Sequence, residues 1–541
     1  MKISPETVRE YLALAQGGRV AATRLLRSDG YKFRDAYFVS LANEVEDKSE
    51  QETKEPVIGG TLEAPDMRRE RAQGNTFVFT CAQSNTFLNE DFFTALEQYC
   101  AFHDATMHIS RFTYNKGSVG RNSVKPGSKK SSDTDDIWYD PRITPYVSDS
   151  PLEITDDLIW CGELNILPTR INPLSSYKGY TRQSSGIIPH AKMALESVPT
   201  MKGDPAKFLY TTGTVTQRNY IQKSAGQVAD FHHVFGAIVV EVDERGTWWA
   251  RQLNADKNGG FYDISGYWTK DGLDPRRLDV QAITHGDIHW TKVDHAVLET
   301  VFAPEVGVVD QLRPKEQFFH DTIDFTARNH HNIKDPHFLH EMMLCGTDNV
   351  QSEFAEVGEF LCETAYRPWS KHLIVVSNHD QAIETWLRNT SAVNDPVNAR
   401  FWHEMNAHCY IVRENGQKAR PFKDALSAYL TEVFQSTAQF IQEDDSYRIL
   451  DEIEAGLHGH LGPNGARGNP KNLRTVGKAN TAHTHSAGIV EGVYTAGVYG
   501  NLDMGYNKGL SSWSHSLIVT YPNAKRAILT IKSGKAWRAQ R

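Results

Sequence analysis

The stretch ITHGDIHW, residues 283–290, places two polar side chains, Asp287 and His289, directly after a short apolar segment. That segment is predicted to form a β-strand, and HLIVVS (372–377) is predicted to form another. The residues that follow the second strand are Asn378, His379 and Asp380. Open α/β sheets carry their functional loops at the carboxyl ends of strands, so the pattern predicts an α/β fold with a polar site at one sheet edge.

Three further polar clusters lie between and after these strands. They contain Asp321 and Asp324, then His458 and His460, then His483 and His485. A single histidine is more often structural than a ligand, and His-x-His arises by chance in a chain with 22 histidines. The order of the clusters is therefore more informative than any one of them.

That order, D-x-H, then Asp, then N-H-D, then His, then H-x-H, resembles the calcineurin-like metallophosphoesterase superfamily. The resemblance covers about residues 276–541 and implies a four-layer α/β/β/α sandwich with a dinuclear metal centre. The chain departs from the superfamily pattern at three glycines, where it has His320, Ser377 and Ala482. Larger residues at those turns imply a slightly different backbone, but no ligand is lost.

The resemblance also assigns roles to individual residues. One metal ion would be held by Asp287, His289 and His485, the other by Asn378, His458 and His483, and Asp321 would bridge them. His379 would act on the scissile phosphate or the leaving oxygen as a catalytic residue, with Asp380 beside it. Three alternatives stay open: His460 in place of His458, Asp310 in place of Asp321, and Asp324 as a residue that orients ligands.

The chemistry of phosphodiester hydrolysis explains such a set of residues. The reaction needs a nucleophile at neutral pH and neutralisation of charge in the transition state, and two divalent ions about 3.5–4 Å apart supply both. A histidine-rich centre favours Mn²⁺, Fe or Zn²⁺ over an all-oxygen Mg²⁺ site. We expect two divalent ions, with Mn²⁺ preferred and Mg²⁺ retained as an alternative.

The rest of the chain is predicted to form further units. Residues 1–44 are predicted to be a helical region, 45–75 a charged linker, 76–275 an α/β domain of unknown role, and 276–541 the catalytic domain. The middle domain opens with a predicted strand-helix-strand unit at 76–114 and carries a low-complexity insertion at 115–136, predicted to be a mobile surface loop.

Basic residues near the last clusters favour a nucleic-acid substrate. Arg467, Lys471 and Arg474 lie in a glycine- and asparagine-rich loop that could approach a phosphate backbone. The segment from residue 504 onward has seven Lys and Arg and no Asp or Glu. It is predicted to be either a basic surface or a solvated tail, although the whole chain has a net charge of −9.

Four features of the whole chain carry a closer resemblance: its length of 541 residues, the segment HDTIDFTARNHHN (320–332), the loop HGHLGPNGARG (458–468) and the ending that begins YNKGLSSW (506–513). In these the chain resembles the pre-early host-DNA-degrading nucleases of T5-like bacteriophages. This resemblance implies a deoxyribonuclease with DNA as partner, and it leaves homo-oligomers and other phage or host proteins open as partners. Two alternatives remain: a phosphatase or small-molecule phosphodiesterase of the same superfamily, and a host-takeover protein that binds without catalysis.

The sequence also favours a cytoplasmic location. It has no apolar run long enough to span a bilayer and no secretory signal at its N-terminus. Its six cysteines form no CxxC pair, which indicates free thiols in a reducing compartment. We therefore expect the protein in the cytoplasm of the host cell.

Overall fold

The computed structural model describes residues 3–14, 19–31, 38, 41–42, 70–114, 137–276, 278–329 and 332–540. The chain divides into two compact units, Met1–Arg68 and Arg69–Arg541. Most of the predicted linker (45–69) and the whole predicted insertion (115–136) lie outside the described residues.

The N-terminal unit contains two helices, α1 (Pro5–Leu14) and α2 (Arg19–Ser28). Ser4 precedes the first helix, and its hydroxyl accepts a hydrogen bond from the backbone N–H of Thr7 at 3.2 Å, as expected of an N-cap. The two helices share an apolar cluster that contains Val8, Leu12, Ala22 and Leu26. The helical prediction is confirmed for these two segments.

The strands of the second unit are as follows. In its first part they are β1 (Glu70–Arg71), β2 (Thr76–Gln83), β3 (Thr106–Phe112), β4 (Pro151–Thr155), β5 (Leu158–Cys161), β6 (Ser185–Ile188), β7 (Leu195–Val198), β8 (Lys207–Thr211), β9 (Gly236–Val242), β10 (Trp248–Asn254), β11 (Phe261–Asp263), β12 (Gly266–Thr269) and β13 (Gly272–Leu273). In its second part they are β14 (Ala282–Thr284), β15 (Glu316–His320), β16 (Lys371–Val375), β17 (Ala438–Ile441), β18 (Arg448–Ile449), β19 (Ile453–Glu454), β20 (Lys478–Thr481), β21 (Gly488–Val490), β22 (Val493–Thr495), β23 (Ser516–Thr520) and β24 (Arg526–Thr530).

Helices connect these strands. The α-helices are α3 (Glu90–His103), α4 (Ser224–Phe231), α5 (His295–Phe302), α6 (Val308–Leu312), α7 (Pro336–Cys345), α8 (Val350–Glu359), α9 (Ala382–Asn389), α10 (Ala399–Glu414), α11 (Pro421–Ser427) and α12 (Glu432–Thr437). Short 3-10 turns cover Pro141–Tyr146, Trp290–Lys292, Ala392–Asn394, Pro463–Gly465 and Pro470–Val476, and a π-helical turn covers Phe360–Ala365. In the described part of the chain, no helix is long and apolar enough to cross a membrane.

The predicted strand-helix-strand unit at the start of the middle region is confirmed. Strands β2 and β3 pair in parallel and are joined by α3, whose N-cap Asn89 accepts a hydrogen bond from the backbone N–H of Phe92. They belong to a four-stranded sheet in the order β10-β9-β2-β3. The apolar run of β9 and the aromatic run of β10 form an antiparallel pair in this sheet, as their composition suggests.

A second, eleven-stranded sheet crosses the predicted boundary between residues 275 and 276. Its order is β1-β4-β5-β6-β8-β7-β21-β22-β20-β19-β18 among the described residues. The connection between its halves is the antiparallel pairing of β7 with β21, in which Leu195 lies opposite Ile489. The predicted boundary therefore falls inside the compact unit Arg69–Arg541.

A six-stranded sheet in the order β17-β16-β15-β14-β23-β24 lies at the centre of the second half. Neighbouring residues in its strands point to opposite faces. On one face, Ile283, Phe319 and Ile374 belong to the same apolar cluster as residues of α5, α8, α9 and α11. On the other face, Phe318 and Leu373 pack with Ile449 and Ile453 of the eleven-stranded sheet. The observed fold is thus mixed α/β, with helices on one side of this sheet and a second sheet on the other.

Candidate metal centre

The predicted site residues meet where strands of both large sheets end. Strands β14, β15 and β16 are parallel, so their carboxyl ends lie at one edge of the six-stranded sheet. Strands β19 and β20 of the eleven-stranded sheet are also parallel to each other. The loops after these five strands carry all seven predicted metal ligands: Asp287, His289, Asp321, Asn378, His458, His483 and His485.

The first group of ligand atoms comes from Asp287, His289 and His485. All three residues are buried, and one ligand atom from each lies within 4.8 Å of the other two. Nε2 of His485 lies 3.1 Å from Oδ2 of Asp287 and 3.0 Å from Nε2 of His289. These are the residues that the sequence assigns to one metal ion.

The second group comes from Asp321, His458 and His483, again with ligand atoms within 4.8 Å of one another. Nε2 of His458 lies 3.1 Å from Oδ2 of Asp321 and 3.0 Å from Oδ1 of Asn378. Asp321 also forms a third such group with His289 and His379. It therefore lies between the two predicted metal positions, where a bridging carboxylate is expected.

The ligand atoms are arranged as expected for groups that bind a cation. Imidazole nitrogens of His485 and His458 lie 3.1 Å from Oδ2 of Asp287 and Oδ2 of Asp321, but among the described residues no well-aligned hydrogen bond reaches these buried oxygens or Oδ1 of Asp287. Burial of an unpaired carboxylate costs several kcal/mol unless a cation compensates it. Imidazole, carboxylate and amide oxygen together suit Mn²⁺, Fe or Zn²⁺. The residues present can thus hold metal ions, and Asp287 and Asp321 would supply the negative charge.

The backbone at the ligands is strained. His289, Asp321, His483 and His485 all have positive φ, at 47°, 41°, 69° and 56°. Such values are uncommon for residues with a Cβ and persist only where surrounding structure imposes them. The sequence predicts an altered backbone at the three replaced glycines, whereas the structure has the positive φ at the ligands themselves.

Asp324 connects two of the site histidines. Its Oδ1 accepts a hydrogen bond from Nδ1 of His289 at 3.0 Å and lies 3.1 Å from Nδ1 of His379. Glu353 of α8 in turn accepts the backbone N–H groups of Asp324 and Phe325 at 2.7 and 3.0 Å. Burial, and then the charge of Asp324, raises the pKa of Glu353 to about 8. Glu353 is a residue that sequence reasoning missed, because nothing near it in sequence resembles a ligand motif.

His379 occupies the edge of the centre. Its backbone N–H donates to Oδ1 of Asp321 at 3.0 Å, and its side chain is 18% exposed. Burial lowers its pKa, but the hydrogen bond to Asp324 and the charge of Asp321 outweigh burial and raise the pKa to about 10. Because Nδ1 faces Asp324, Nε2 is the nitrogen that remains available to a substrate.

Asp380 has a different position from the one its predicted catalytic role requires. The residue is fully buried, and its carboxylate accepts hydrogen bonds from Thr322 Oγ1, Ile323 N and Ser377 N. Burial, and then the charge of Asp321, raises its pKa to about 8. Asp380 thus joins the loops after β15 and β16, and any part it takes in catalysis would be through the groups that it holds in place.

The ligand histidines and carboxylates shift one another's pKa values. Burial lowers the pKa of His458, but the carboxylates of Asp321 and Asp287 outweigh it, so the net shift is upward. Burial raises the pKa of Asp287, but the opposite effect of His458 and His485 is larger. The pKa of Asp287 is therefore lowered to about 2. Burial also raises the pKa of Asp321, but His458 and other site histidines outweigh burial and hold it well below its ordinary value, so both carboxylates are ionised in the folded chain at neutral pH.

Comparison with known proteins identifies the family. No family model matches the chain, and no solved structure matches it. A curated relative, Protein A1 of Escherichia phage T5, is 38% identical over 501 residues, which cover 90% of this chain and 87% of the relative. This chain belongs to the Protein A1 family. It is thus a protein of a T5-like phage, and the relative's name states no activity.

Two predicted alternatives lie outside the centre of this Protein A1-family chain. His460 joins none of the three ligand groups, and its Nε2 is 3.7 Å from Oε1 of Glu443. Asp310 forms an ion pair with Arg367 at 2.7 Å. The geometry therefore favours His458 over His460 and Asp321 over Asp310.

Trp290, the last residue of ITHGDIHW, packs beside the centre of this Protein A1-family chain and does not line it. Its ring lies 5.2 Å from that of Phe360, and its Nε1 donates to Glu356 at 2.8 Å. These contacts support a packing role.

The three predicted substrate-binding cations of this Protein A1-family chain differ in their surroundings. Arg467 is exposed, and Arg474 pairs with Glu491 at 2.8 Å. Lys471 and Arg474 line a separate cavity. In the basic C-terminal segment, Arg526 is buried and donates to backbone carbonyls, so this segment is not a uniform basic surface or a solvated tail. Sequence composition cannot distinguish cations that satisfy buried carbonyls from cations that face solvent.

Two aromatic residues next to the ligands were missed by sequence reasoning. The ring of Trp513 lies 4.3 Å from that of His485 with an interplanar angle of 71°, and Tyr506 packs on Trp513 at 5.9 Å. Tyr506 is 52% exposed. The short stretch GYNKGLSSW contains glycines and serines typical of a loop, and only the fold of this Protein A1-family chain brings it to the metal centre.

Proposed function

We propose that this chain is a metal-dependent deoxyribonuclease that hydrolyses phosphodiester bonds and degrades host DNA in the host cytoplasm during phage infection. The observation that carries the proposal is the shared position of Asp321 between two groups of histidine and carboxylate ligands. A carboxylate at that position is what a dinuclear centre requires.

The surrounding architecture supports membership of the metallophosphoesterase superfamily. Helices cover one face of the six-stranded sheet, and the eleven-stranded sheet packs on the other. We assign these three layers to the first three of the α/β/β/α sandwich of that superfamily. The order of the ligand clusters along the chain supports the same assignment.

The ligands divide between two metal positions, and Mn²⁺ suits both. Asp287, His289 and His485 would hold one ion, Asn378, His458 and His483 would hold the other, and Asp321 would contribute to both positions. When bound, the ions supply a nucleophile from water at neutral pH and neutralise charge that develops on the phosphate. Mg²⁺, Fe and Zn²⁺ are the alternatives to compare.

The chain's own residues orient the substrate and move a proton. The backbone carbonyl of Asp324 accepts a hydrogen bond from Nδ1 of His379 at 3.0 Å, with the Asp324 carboxylate 3.1 Å from the same nitrogen, so that Nε2 would be the nitrogen that contacts a bound phosphate. A protonated imidazole there donates to the leaving oxygen or to a non-bridging phosphate oxygen. The raised pKa of His379 keeps the proton available at neutral pH.

Exposed aromatic side chains favour a nucleic acid over a small phosphate ester as substrate. Tyr506 and Trp513 form a pair next to His485, within reach of a base that flanks the scissile phosphate. Base stacking on aromatic rings tolerates any sequence. A nuclease that degrades a whole genome needs such tolerance.

The proposal is tested with purified full-length protein and linear DNA in the presence of Mn²⁺. We expect degradation by the wild type and none by Asp287→Ala or Asp321→Ala, because each substitution removes a ligand and a negative charge. His340→Ala is the matched control, since His340 is exposed and lies outside the ligand groups. Metal content measured on the same samples shows whether the ligand variants lose bound ions.

Several outcomes would contradict the proposed nuclease activity. Undegraded DNA with every metal tested would support the non-catalytic alternative, and equal degradation by Asp287→Ala would exclude this centre as the catalyst. A phosphomonoester hydrolysed in preference to bis-p-nitrophenyl phosphate would identify a phosphatase instead.

A further inference from the structure

A cavity of about 750 Å³ lies at the side of the eleven-stranded sheet, apart from the metal centre. Its volume is within the range of about 300–1,000 Å³ typical of small-molecule sites. Lys478, at the start of β20, lines the cavity, whereas the metal ligand His483 follows the end of that strand. At the rise of an extended strand, Lys478 and Thr481, the first and last residues of β20, are about 10 Å apart, so the cavity and His483 lie at opposite ends of the strand. The cavity is therefore a separate site.

The cavity lining is strongly cationic although the chain as a whole is acidic. Seven lysines and arginines line it, against two glutamates, Glu196 and Glu491. The cationic residues are Lys178, Lys192, Lys471, Arg474, Lys478, Lys525 and Arg526. Both glutamates are already paired, Glu196 with Lys178 and Glu491 with Arg474.

Four of these cations have no carboxylate within ion-pair distance in the described part of the chain: Lys192, Lys471, Lys525 and Arg526. Lys192 is 4% exposed, and its Nζ donates to the carbonyl of Ile171 at 3.3 Å. Arg526 is 5% exposed and donates to the carbonyls of Ala479 and Gly492 at 2.8 Å and to Oδ1 of Asn480 at 3.0 Å, with its guanidinium 4.1 Å from the Tyr494 ring centroid, so its partners are neutral. Buried cations are normally paired with an anion. Their concentration around one cavity indicates an anionic ligand.

Other lining groups specify more than a simple anion. Phe231, the last residue of α4, lines the cavity and is 83% exposed, so its ring is free to stack on a planar group. Oδ1 of Asn254 is buried without a hydrogen-bond partner among the described residues and can accept from an amino group. A duplex, whose complexes typically bury at least about 1,000 Å² of protein surface, is too large to enter such a cavity.

We propose that this cavity binds a nucleoside monophosphate, with the phosphate near Lys192, Lys525 and Arg526 and the base against Phe231. The proposal does not depend on the activity of the metal centre. It also explains why Lys471 and Arg474 surround a cavity and not the metal ligands: they contribute to the positive potential at its rim.

Isothermal titration of the full chain with AMP and dAMP in EDTA tests the proposal, because chelation removes metal-dependent binding. We expect saturable binding at one site. Lys525→Ala should weaken it about tenfold or more, since it removes a charge-assisted contact. Phe231→Ala should weaken it by a similar factor through lost stacking, about fivefold at least. Circular dichroism of each variant checks that the fold is intact.

The controls separate this site from the metal centre. Lys257→Ala removes an exposed lysine outside the cavity and should leave the affinity unchanged. We also expect Asp287→Ala to bind AMP and dAMP with the affinity of the wild type. This expectation holds whether or not the chain is a nuclease. Absence of binding by the wild type, equal affinity for adenosine or inorganic phosphate alone, or loss of binding in Asp287→Ala would each overturn the proposal. Binding of a 5′-phosphorylated oligonucleotide without binding of either mononucleotide would overturn it as well.

Discussion

At the scale of single residues, Asp324 has the contacts expected of a group that controls the centre without binding metal. It is 1% exposed and faces Nδ1 of both His289 and His379. A carboxylate in that position fixes the tautomer of each imidazole, so that Nε2 of His289 keeps its lone pair for a metal ion. The position of Asp324 one helical turn after Asp321 indicated this role, whereas its second partner, His379, became evident only from the structure.

Asp324→Asn tests that role with the smallest possible change in shape. We expect activity or Mn²⁺ affinity to fall about 10- to 100-fold, because an amide is a weaker acceptor for two imidazole N–H groups. The pH profile of the residual activity should shift downward on its alkaline side, since loss of the negative charge lowers the pKa of His379. Steady-state rates between pH 6 and 10, with metal titrations, measure both effects.

Asp335→Asn is the matched control for this substitution. Asp335 caps α7 and accepts the backbone N–H groups of His337 and Phe338. Asparagine caps a helix as well as aspartate does, so activity and metal affinity should be unchanged. A wild-type pH profile in Asp324→Asn would show that Asp324 is only a packing residue.

At the scale of secondary structure, the loop between β22 and β23 is the element that most directly faces the centre from outside the ligand set. It contains Tyr506 and Trp513, and Trp513 packs on the ligand His485. Burial, and then the negative charges of Asp324, Asp321 and Asp287, raises the pKa of Tyr506. The phenol of Tyr506 therefore lies close enough to the carboxylates for their charges to raise its pKa, while about half of its surface is exposed to solvent.

Tyr506→Ala tests whether this loop contacts DNA. One lost stacking contact corresponds to about 1–3 kcal/mol, so KM for an oligonucleotide should rise about 5- to 150-fold. Hydrolysis of bis-p-nitrophenyl phosphate, which has no base to stack, should be unaffected. Tyr410→Ala is the control, since Tyr410 is also exposed, at 63% against 52% for Tyr506, but lies on α10. Equal losses on both substrates would mean that Tyr506 supports the ligands and does not bind DNA.

The same scale shows what the sequence could predict. Strands β2, β9 and β10 and helix α3 were readable because their apolar runs, caps and flanking turns are local signals. The loops that carry Asp287 and Asn378 could also be predicted, because each follows a short apolar segment in the sequence. The pairing of β7 with β21 was not, because it joins segments almost 300 residues apart through tertiary contacts that no local pattern records.

At the scale of the whole second unit, the candidate centre joins two sheets. Asp287, His289, Asp321 and Asn378 follow strands of the six-stranded sheet, whereas His458, His483 and His485 follow strands of the eleven-stranded sheet. The predicted boundary at residue 275/276 could not anticipate this, because the second of these sheets also contains strands from residues 70–211. Metal ions bound here would hold the two sheets together at the edge where both end.

Metal binding should therefore stabilise the whole unit. A ligand that binds only the folded state at 100 times its Kd adds about 2.7 kcal/mol to the free energy of unfolding. We expect the thermal midpoint to rise with Mn²⁺ concentration and to return to its initial value with EDTA. Differential scanning calorimetry of the wild type over a range of Mn²⁺ concentrations measures this effect.

Substitution of one ligand on each sheet shows whether the stabilisation by Mn²⁺ depends on ligands from both sheets. Asp287→Ala on one sheet and His483→Ala on the other should each reduce the Mn²⁺-dependent rise, because each removes a ligand from a different metal position. His340→Ala should retain the full rise. An unchanged midpoint in the wild type at millimolar Mn²⁺, or a full rise in both ligand variants, would contradict a metal centre at this junction. A rise reduced by Asp287→Ala alone would restrict the centre to the first ligand group, since His483 contributes only to the second.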